Sequence, residues 1–313
     1  MEYTKLGRTA LRVSRLGLGC GGPSRLGLKT GGTEESAERV VREALALGVN
    51  FIDTAEAYGT ETVVGRAVAG SARDQLVIST KVGVGLDGRR ATADETRQRV
   101  LACLRRLNMH YVDILHLHGV SRDEYAYARD ELLPVLQAMK REGSIRFIGI
   151  TEAFGPDPAH AMLVEAMRDD CWDAVMVGFS LLNQSARERV LAITQRKEIG
   201  TLCMFAVRRA LSQPAALKPL IQDLVDRGLV DAQWFNGGAP LGFLTSEGVA
   251  ATITEAAYRF CRWEPGIDVV LSGTSSVEHL RENAAALAGP PLPVEVVDRL
   301  KRIFAGVDCV SGN

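Results

Sequence analysis

The chain of 313 residues lacks the features that mark membrane, secreted and nucleic-acid-binding proteins. No apolar run approaches the roughly 20 residues that a membrane-spanning helix needs, and the opening segment MEYTKLGRT has no apolar signal-peptide core. There is no basic tract, and a formal net charge of −1 gives no electrostatic reason to bind phosphate backbones or anionic lipid. We therefore expect a cytoplasmic protein whose partner is a small molecule, with no nucleic acid and no membrane involved.

Cysteine pairs of the CxxC kind are also missing. The six cysteines are scattered along the chain, which favours isolated thiols in a reducing compartment over a disulfide framework. Most of them are expected to pack in the core. Cys20 follows the first apolar run and is the cysteine that we expect to face a pocket.

What the chain does contain is a regular alternation of two patterns. With 46% apolar and 24% charged residues, it can build a large core. Amphipathic stretches of helical period lie between short apolar runs typical of buried parallel strands. The runs are VSRLGLG, VNFID, LVISTK, VDILHLH, IRFIGIT, DAVMVGF, TLCMFAV and IDVVLSG. Eight such units predict a (β/α)₈ TIM barrel, with a doubly wound open sheet as the competitor.

Local signals support the predicted helices. Thr92 with Glu95 and Ser275 with Glu278 have capping-box spacing. Glycines stand where three helices should stop, at Gly48, Gly143 and Gly200. Because no Pro- or Ser-rich linker divides the chain, residues 1–313 are expected to form a single domain.

Two segments depart from the alternation. YTKLGRTALRVS predicts an N-terminal β-hairpin that turns at Gly7–Thr9 and is able to plug the bottom of the barrel. A long loop, residues 206–266, separates the seventh and eighth strands. A connection of that length at the catalytic face is usually a lid or a ligand-binding loop.

Four polar residues stand at or just beyond the ends of apolar runs: Asp53, Tyr58, Lys81 and His118. The carboxyl ends of barrel strands carry chemistry, so these side chains are expected to meet there. An ammonium favours a nearby phenolate, which makes Tyr58 the acid, Lys81 its neighbouring cation and Asp53 the partner of Lys81. His118 would hydrogen-bond the substrate oxygen. The structural alternative is a buried ion-pair network without catalysis.

The chain resembles the aldo-keto reductase superfamily in motifs that cover most of its length. These are KLGRTALRVSRLGLG, GVNFIDTAEAYG, LVISTKVG, YVDILHLHG, GSIRFIGIT and SGTSSVEHLRENAAAL. The resemblance implies a barrel that binds a nicotinamide cofactor without a Rossmann fold and transfers hydride between it and a carbonyl or alcohol carbon. It also implies that Tyr58 is the general acid, Lys81 and Asp53 its supporting pair, and His118 the histidine that orients the substrate.

His116 raises a metal-dependent alternative, because H-x-H on a strand also occurs as a zinc pair. No third and fourth ligand stand at matching strand ends, so we expect no metal and place His116 deeper in the barrel, below His118.

The resemblance places the cofactor's carboxamide at Thr151, Glu152 and Met176, where the family typically has a Ser–Asn pair and a Gln. Glu152 can accept a hydrogen bond from an amide, whereas Met176 offers apolar contact only. The alternative for Glu152 is a substrate-facing or solvent-exposed carboxylate.

Further cofactor contacts are expected after the seventh strand and near the C-terminus. Phe205, in preference to Met204, is assigned to ring stacking, and Arg208 and Arg209 either bind the pyrophosphate or are solvated. The C-terminal set is Gly273, Thr274, Ser275, His279, Glu282 and Asn283. Its first three residues precede a helix whose N-terminus suits phosphate. The resemblance assigns Glu282 and Asn283 to adenine. Gly273 and His279 occupy the positions where the family often has a Lys and an Arg that hold a 2′-phosphate. The family default implied by the resemblance favours NADP(H), with Thr274, Ser275 and Arg208 or Arg209 as contacts, and NAD(H) is the alternative.

The substrate is expected to be an aldehyde, a ketone or a sugar. Trp234, Phe235 and Phe154 are candidate pocket walls, with core packing as the alternative for each. Two other functions remain open from the sequence: an NAD-dependent aldose or sugar dehydrogenase, and a cofactor-binding regulatory protein with poor turnover.

Overall fold

The computed structural model describes residues 1–235 and 239–313. Eight parallel strands close into a barrel, each paired with its two neighbours, and the eighth returns to the first. The predicted TIM barrel is confirmed. The barrel strands are β3 (Leu16–Gly19), β4 (Phe51–Asp53), β5 (Val77–Gly83), β8 (Val112–Val120), β9 (Ile145–Glu152), β10 (Ala174–Gly178), β11 (Gly200–Met204) and β12 (Val269–Ser272).

Two small antiparallel pairs accompany the barrel. β6 (Gly85–Leu86) and β7 (Arg89–Arg90) form a short hairpin after β5. β1 (Tyr3–Lys5) pairs with β2 (Arg12–Ser14) around a tight turn at Gly7–Thr9, which confirms the predicted N-terminal hairpin. Its apolar side chains pack inside the barrel in a cluster that consists of Leu6, Leu11, Val13, Phe51, Val77, Ile114, Ala174, Met176, Leu202 and Val269. The hairpin thus closes the end of the barrel opposite the strands' carboxyl ends.

Helices surround the barrel and bury their apolar faces against it. Those before β11 are α1 (Glu34–Ala46), α2 (Glu61–Val68), α3 (Ala93–Leu107), α4 (Arg122–Tyr127), α5 (Leu133–Arg141), α6 (Ala161–Ala166) and α7 (Ala192–Arg196). Those after it are α8 (Arg209–Ser212), α9 (Pro214–Asp226), α10 (Phe243–Ser246), α11 (Ile253–Arg262), α12 (Val277–Ala288) and α13 (Val294–Ile303). Within the part of the chain that the structure describes, no helix is both long and apolar enough to cross a membrane.

The expected caps are confirmed in part. Thr92 and Glu95 form the predicted capping box of α3. At α12, however, Ser276 and not Ser275 is the N-cap, since its side chain accepts the backbone N–H of His279. Gly48 and Gly143 follow α1 and α5 with positive φ, as a helix stop requires.

Gly200 was wrongly expected to end a helix. It begins β11, and a Cβ there would lie 2.7 Å from Leu6 Cγ, so the glycine leaves room for the hairpin. The long connection also differs from expectation. Four α-helices, α8 to α11, lie within the described part of residues 206–266, so it is largely a helical subregion and not an open loop.

Candidate active site

Neighbouring barrel strands place a buried ion pair at their carboxyl ends. Lys81 Nζ lies 2.6 Å from Asp53 Oδ2 and also donates to the Thr54 carbonyl oxygen at 2.8 Å. Ser79 Oγ donates to Asp53 Oδ1 at 2.9 Å. Lys81 is fully buried and Asp53 is 3% exposed. Each carboxylate oxygen therefore has a donor, which is the condition under which buried charges are tolerated.

Electrostatics keep this pair ionised. Burial by itself lowers the pKa of Lys81, but the charges of Asp53 and Tyr58 oppose this effect, and the pKa lies above its ordinary value. Burial raises the pKa of Asp53, while the Lys81 ammonium and the Ser79 hydroxyl oppose the rise. Because the ammonium contacts the carboxylate directly, we take both groups as charged at neutral pH. A positive charge thus persists beside Tyr58.

Tyr58 and His118 face each other above the pair. Tyr58 ends a short turn of 3₁₀ helix after β4, and its Oη lies 3.2 Å from His118 Nε2. Lys81 Nζ is 5.0 Å from the centre of the Tyr58 ring. Burial, with the charges of Lys81 and Arg25, lowers the pKa of His118 to about 3. The imidazole is therefore neutral at physiological pH, and the four predicted residues do meet at one place.

Arg25 and Gly21 also belong to this site, although sequence reasoning missed them. The Arg25 guanidinium carbon lies 4.6 Å from the centre of the Tyr58 ring, and its Nη1 donates to the Ala57 carbonyl oxygen at 3.1 Å. A Cβ at Gly21 would lie 2.6 Å from Tyr58 Cε2 and Cζ. The contact of Arg25 depends on left-handed backbone at Arg25 and Leu26, with φ of 50° and 58°. No motif in the sequence signals such a loop.

A cavity of about 1430 Å³ opens beside Tyr58. Many of the predicted site residues line it, namely Asp53, Tyr58, Phe205, Arg208, Arg209, Gly273, Thr274, His279, Glu282 and Asn283. The helical connection between β11 and β12 supplies another wall, which includes Leu211, Gln213, Leu217 and Tyr258. The connection therefore forms part of the cavity wall through helices, and its role in ligand binding stays a prediction.

One wall of the cavity is cationic and aromatic. The Arg208 guanidinium carbon lies 4.1 Å from the centre of the Phe205 ring, and its Nε donates to Asn313 Oδ1 at 2.7 Å. Phe205 follows β11 in left-handed backbone, with φ of 67°. Arg209 begins α8 and is exposed.

Another wall of the cavity leads into helix α12. Asn283 Nδ2 donates to Ser272 Oγ at 2.9 Å, which ties the helix to the end of β12. Thr274 is half-buried, while Ser275, His279 and Glu282 are exposed. The cavity thus extends from Asp53 and Tyr58 to the N-terminal turns of a 12-residue helix.

Comparison with known proteins shows the family of this chain. The family model described as "Aldo/keto reductase family" matches residues 15–305. This chain belongs to the aldo/keto reductase family. It is therefore an oxidoreductase of a family that uses nicotinamide cofactors.

Individual aldo/keto reductases and related enzymes match along most of the chain. L-galactose dehydrogenase of Arabidopsis thaliana is 29% identical over 300 residues, covering 92% of this chain and 88% of that protein. NADH-specific methylglyoxal reductase of Escherichia coli is 26% identical over 317 residues, covering 92% and 94%. The holo form of an aldo-keto reductase from Bacillus halodurans superposes with a TM-score of 0.72 at 26% identity, covering 97% of this chain and 96% of that chain.

Two residues assigned to the cofactor of this aldo/keto reductase have other partners in the structure. Thr151 Oγ1 accepts the Gly119 backbone N–H at 2.7 Å. Both carboxylate oxygens of Glu152 lie 3.0 Å from His160 Nδ1, and Oε1 also accepts the Gly178 N–H at 2.7 Å. Glu152 is 3% exposed, so a solvent-exposed carboxylate is excluded. Its contact with the carboxamide stays a prediction.

The three candidate aromatic walls differ in how deeply they are buried. Phe154 is 2% exposed and stacks on His160 and against the edge of Phe205. Trp234 and Phe235 are half-buried and pack against the hydrophobic core, and the three residues that follow them lie outside the described part. Cys20 is fully buried within that same core, so the expectation that it faces a pocket is wrong.

His116 lies where the sequence places it, fully buried one layer below His118. Its Nδ1 is 3.2 Å from Ser79 Oγ. Across residues 1–235 and 239–313, no group of three or more His, Cys, Asp and Glu side chains is arranged to hold a metal ion.

Proposed function

We propose that this aldo/keto reductase interconverts the carbonyl and alcohol forms of an aldehyde, ketone or sugar, with Tyr58 as general acid and base. One observation carries the proposal. The buried Lys81–Asp53 pair lies next to Tyr58, whose Oη is 3.2 Å from the neutral His118, at the edge of a cavity of about 1430 Å³. Residues 1–313 are proposed to act as one catalytic domain.

The cavity suits an extended dinucleotide. It exceeds the roughly 300–1,000 Å³ of a site for one drug-sized ligand. Gly273 and Thr274 precede α12, where backbone N–H groups favour phosphate, and Arg208 and Arg209 add positive charge. Phe205 offers a ring for stacking. When bound, the nicotinamide supplies or accepts the hydride.

Side chains of the protein transfer the proton between Tyr58 and the substrate oxygen. In reduction, the carbonyl oxygen binds within hydrogen-bond distance of both Tyr58 Oη and His118 Nε2, and Tyr58 donates its proton to that oxygen. The Lys81 ammonium stabilises the phenolate that remains, and Asp53 holds Lys81 in place. A neutral His118 with its proton on Nε2 donates a hydrogen bond to the oxygen without adding charge. Oxidation of an alcohol reverses each transfer.

Features of the cavity favour different cofactors. Arg208, Arg209 and His279 favour the 2′-phosphate of NADP(H), which is our first choice. The exposed Glu282 on the same lining favours NAD(H), because a carboxylate accepts from a ribose hydroxyl and repels a phosphate. With the similarity to L-galactose dehydrogenase, Glu282 supports an NAD-dependent sugar dehydrogenase as the second candidate.

Cofactor titration and steady-state kinetics test the proposal together. NADPH and NADH fluorescence titrations measure binding, and rates in both directions with a panel of carbonyls and aldoses measure turnover. Tyr58→Phe should lower kcat by about 10²–10⁴-fold without changing the cofactor Kd. Tyr111→Phe, at a tyrosine that does not line the cavity, is the matched control.

Two results would contradict the assignment. Binding of neither cofactor would exclude a nicotinamide enzyme, and a Tyr58→Phe variant within a few-fold of the wild-type kcat would exclude Tyr58 as the acid. Tight cofactor binding without turnover on the whole panel would instead favour a regulatory protein.

A further inference from the structure

A serine and a histidine below the catalytic ion pair extend its hydrogen bonds into the barrel. We propose that His116 is a positioning residue that holds Asp53 in place through Ser79, and that it acts as the neutral tautomer with its proton on Nδ1. The catalytic consequence rests on the proposed function, whereas the tautomer does not.

Strand register brings the groups together. Asp53 on β4 is the partner of Ser79 on β5, and Lys81 on β5 is the partner of His116 on β8. Ser79 Oγ lies 2.9 Å from Asp53 Oδ1 and 3.2 Å from His116 Nδ1. The serine hydroxyl therefore links the carboxylate to the imidazole, and all three residues are buried.

The number of protons available on Ser79 determines the tautomer of His116. A serine hydroxyl has a single proton, and an ionised carboxylate only accepts hydrogen bonds. The bond to Asp53 is charge-assisted and is the stronger of the two available to that proton. Ser79 Oγ thus presents lone pairs to His116, and Nδ1 must be the donor. A proton on Nε2 would instead set two lone pairs against each other.

The surroundings of the ring agree with this assignment. Burial, together with the charge of Lys81, holds the pKa of His116 well below its ordinary value, so the ring is neutral. Among the described residues, His116 Nε2 has no hydrogen-bond partner. An unpartnered buried acceptor is less unusual than an unpartnered buried N–H.

Gly149 provides the space for the imidazole. A Cβ on residue 149 would lie 2.3 Å from His116 Cδ2 and 2.5 Å from Nε2. The ring therefore fills the volume beside a bare backbone on β9, and its orientation is held from that side. Hydrogen bonds are therefore donated in one direction, from His116 to Ser79 and from Ser79 to Asp53. The other carboxylate oxygen of Asp53 binds Lys81.

Variants of His116 separate positioning from packing. His116→Leu keeps the bulk and removes the donor, whereas the amide of His116→Asn can present an N–H near the Nδ1 position. We expect His116→Leu to lower kcat about tenfold at unchanged KM and cofactor Kd, and His116→Asn to recover most of the loss. Ser79→Ala should lower kcat to a similar extent, and adding His116→Leu to it should cause little further loss. His110→Leu, at an exposed histidine, is the control.

The tautomer of His116 can be measured without an activity assay. Nitrogen-15 NMR of histidine-labelled protein, with the His116 signal identified by its loss in His116→Asn, should show a protonated Nδ1 and a bare Nε2. A protonated Nε2 would overturn the proposal, as would wild-type kcat in a folded His116→Leu. Equal defects in the Asn and Leu variants, or independent losses in the double variant, would also overturn it. If His116→Leu does not fold, Ser79→Ala and the NMR measurement still decide. Retained turnover in Tyr58→Phe would reject the proposed function and leave the tautomer standing.

Discussion

Replacing Lys81 by methionine should destabilise the fold in a strongly pH-dependent way. Lys81 is fully buried and its ammonium is 2.6 Å from an Asp53 carboxylate that is 3% exposed. Methionine is close in length but carries no charge, so the variant leaves Asp53 without its counterion. An uncompensated buried charge is strongly unfavourable.

Protonation of Asp53 limits the loss. An aspartate with an ordinary pKa of about 3.9 takes up a proton at a cost of about 4 kcal/mol at pH 7 and about 1.5 kcal/mol at pH 5, at 1.36 kcal/mol per pH unit. In the variant, the folded-state pKa of Asp53 lies above its unfolded value, so the folded state binds the proton more tightly. The difference from wild type should therefore shrink as the pH falls from 7 to 5.

Thermal unfolding at several pH values measures this difference. With about 2.1 cal/mol/K of unfolding entropy per residue over 313 residues, the Tm of Lys81→Met should fall by about 6 °C at pH 7 and by about 2 °C at pH 5. Adding Asp53→Asn removes the carboxylate and should restore most of the loss. Lys301→Met, at an exposed site on α13, should change stability by less than about 0.5 kcal/mol.

A Lys81→Met variant as stable as wild type at pH 7 would contradict this prediction. An equal loss of stability at pH 5 and pH 7 would also contradict it, as would a further loss of stability when Asp53→Asn is added to Lys81→Met. Any of these results would mean that the two charges do not depend on each other in the folded protein.

Further predictions concern the residues around Tyr58. Because the folded-state pKa of His118 is lowered to about 3, the unfolded chain binds the proton more readily, and wild-type stability should decrease as pH falls from about 6.5 towards 3. His118→Asn should weaken that dependence in urea titrations, and an unchanged dependence would contradict the neutral imidazole. Gly21→Ala places a Cβ 2.6 Å from the Tyr58 ring and should lower kcat at least tenfold with little change in Tm, whereas near-normal kcat would refute the close contact. Arg208→Ala should raise the NADPH Kd by about tenfold or more through loss of a charge-assisted contact, and an unchanged Kd would place the phosphates elsewhere.

Much of the fold is visible in the sequence because buried parallel strands appear as continuous apolar runs. The eight predicted runs correspond to the eight barrel strands, and so the residues at their ends were brought to one place. The residues at which individual helices begin or end were harder to predict. Ser275 and Ser276 are equally good caps by composition, and Gly200 serves a packing contact with Leu6 that no local pattern announces.

Contacts made by loop residues were not predictable in this way. Glu152 appeared open to a ligand because the sequence does not show that His160, eight residues later, turns back onto it. Arg25 reaches the Tyr58 ring through two successive left-handed residues, neither of which is glycine. Such contacts depend on how loops cross in space, and hydrophobic periodicity carries no information about that.

The N-terminal hairpin has a consequence for the order in which the protein can be completed during synthesis. Leu6 packs against Gly200, and the Arg8 backbone N–H donates to the Glu198 carbonyl oxygen, so partners of the first dozen residues emerge nearly two hundred residues later. At about 5–20 residues per second, the hairpin must wait roughly 10–40 s for them. Until then its apolar residues have no barrel to enter, and the underside of the growing sheet is open to water. The beginning of the chain is therefore among the last parts to reach its final place.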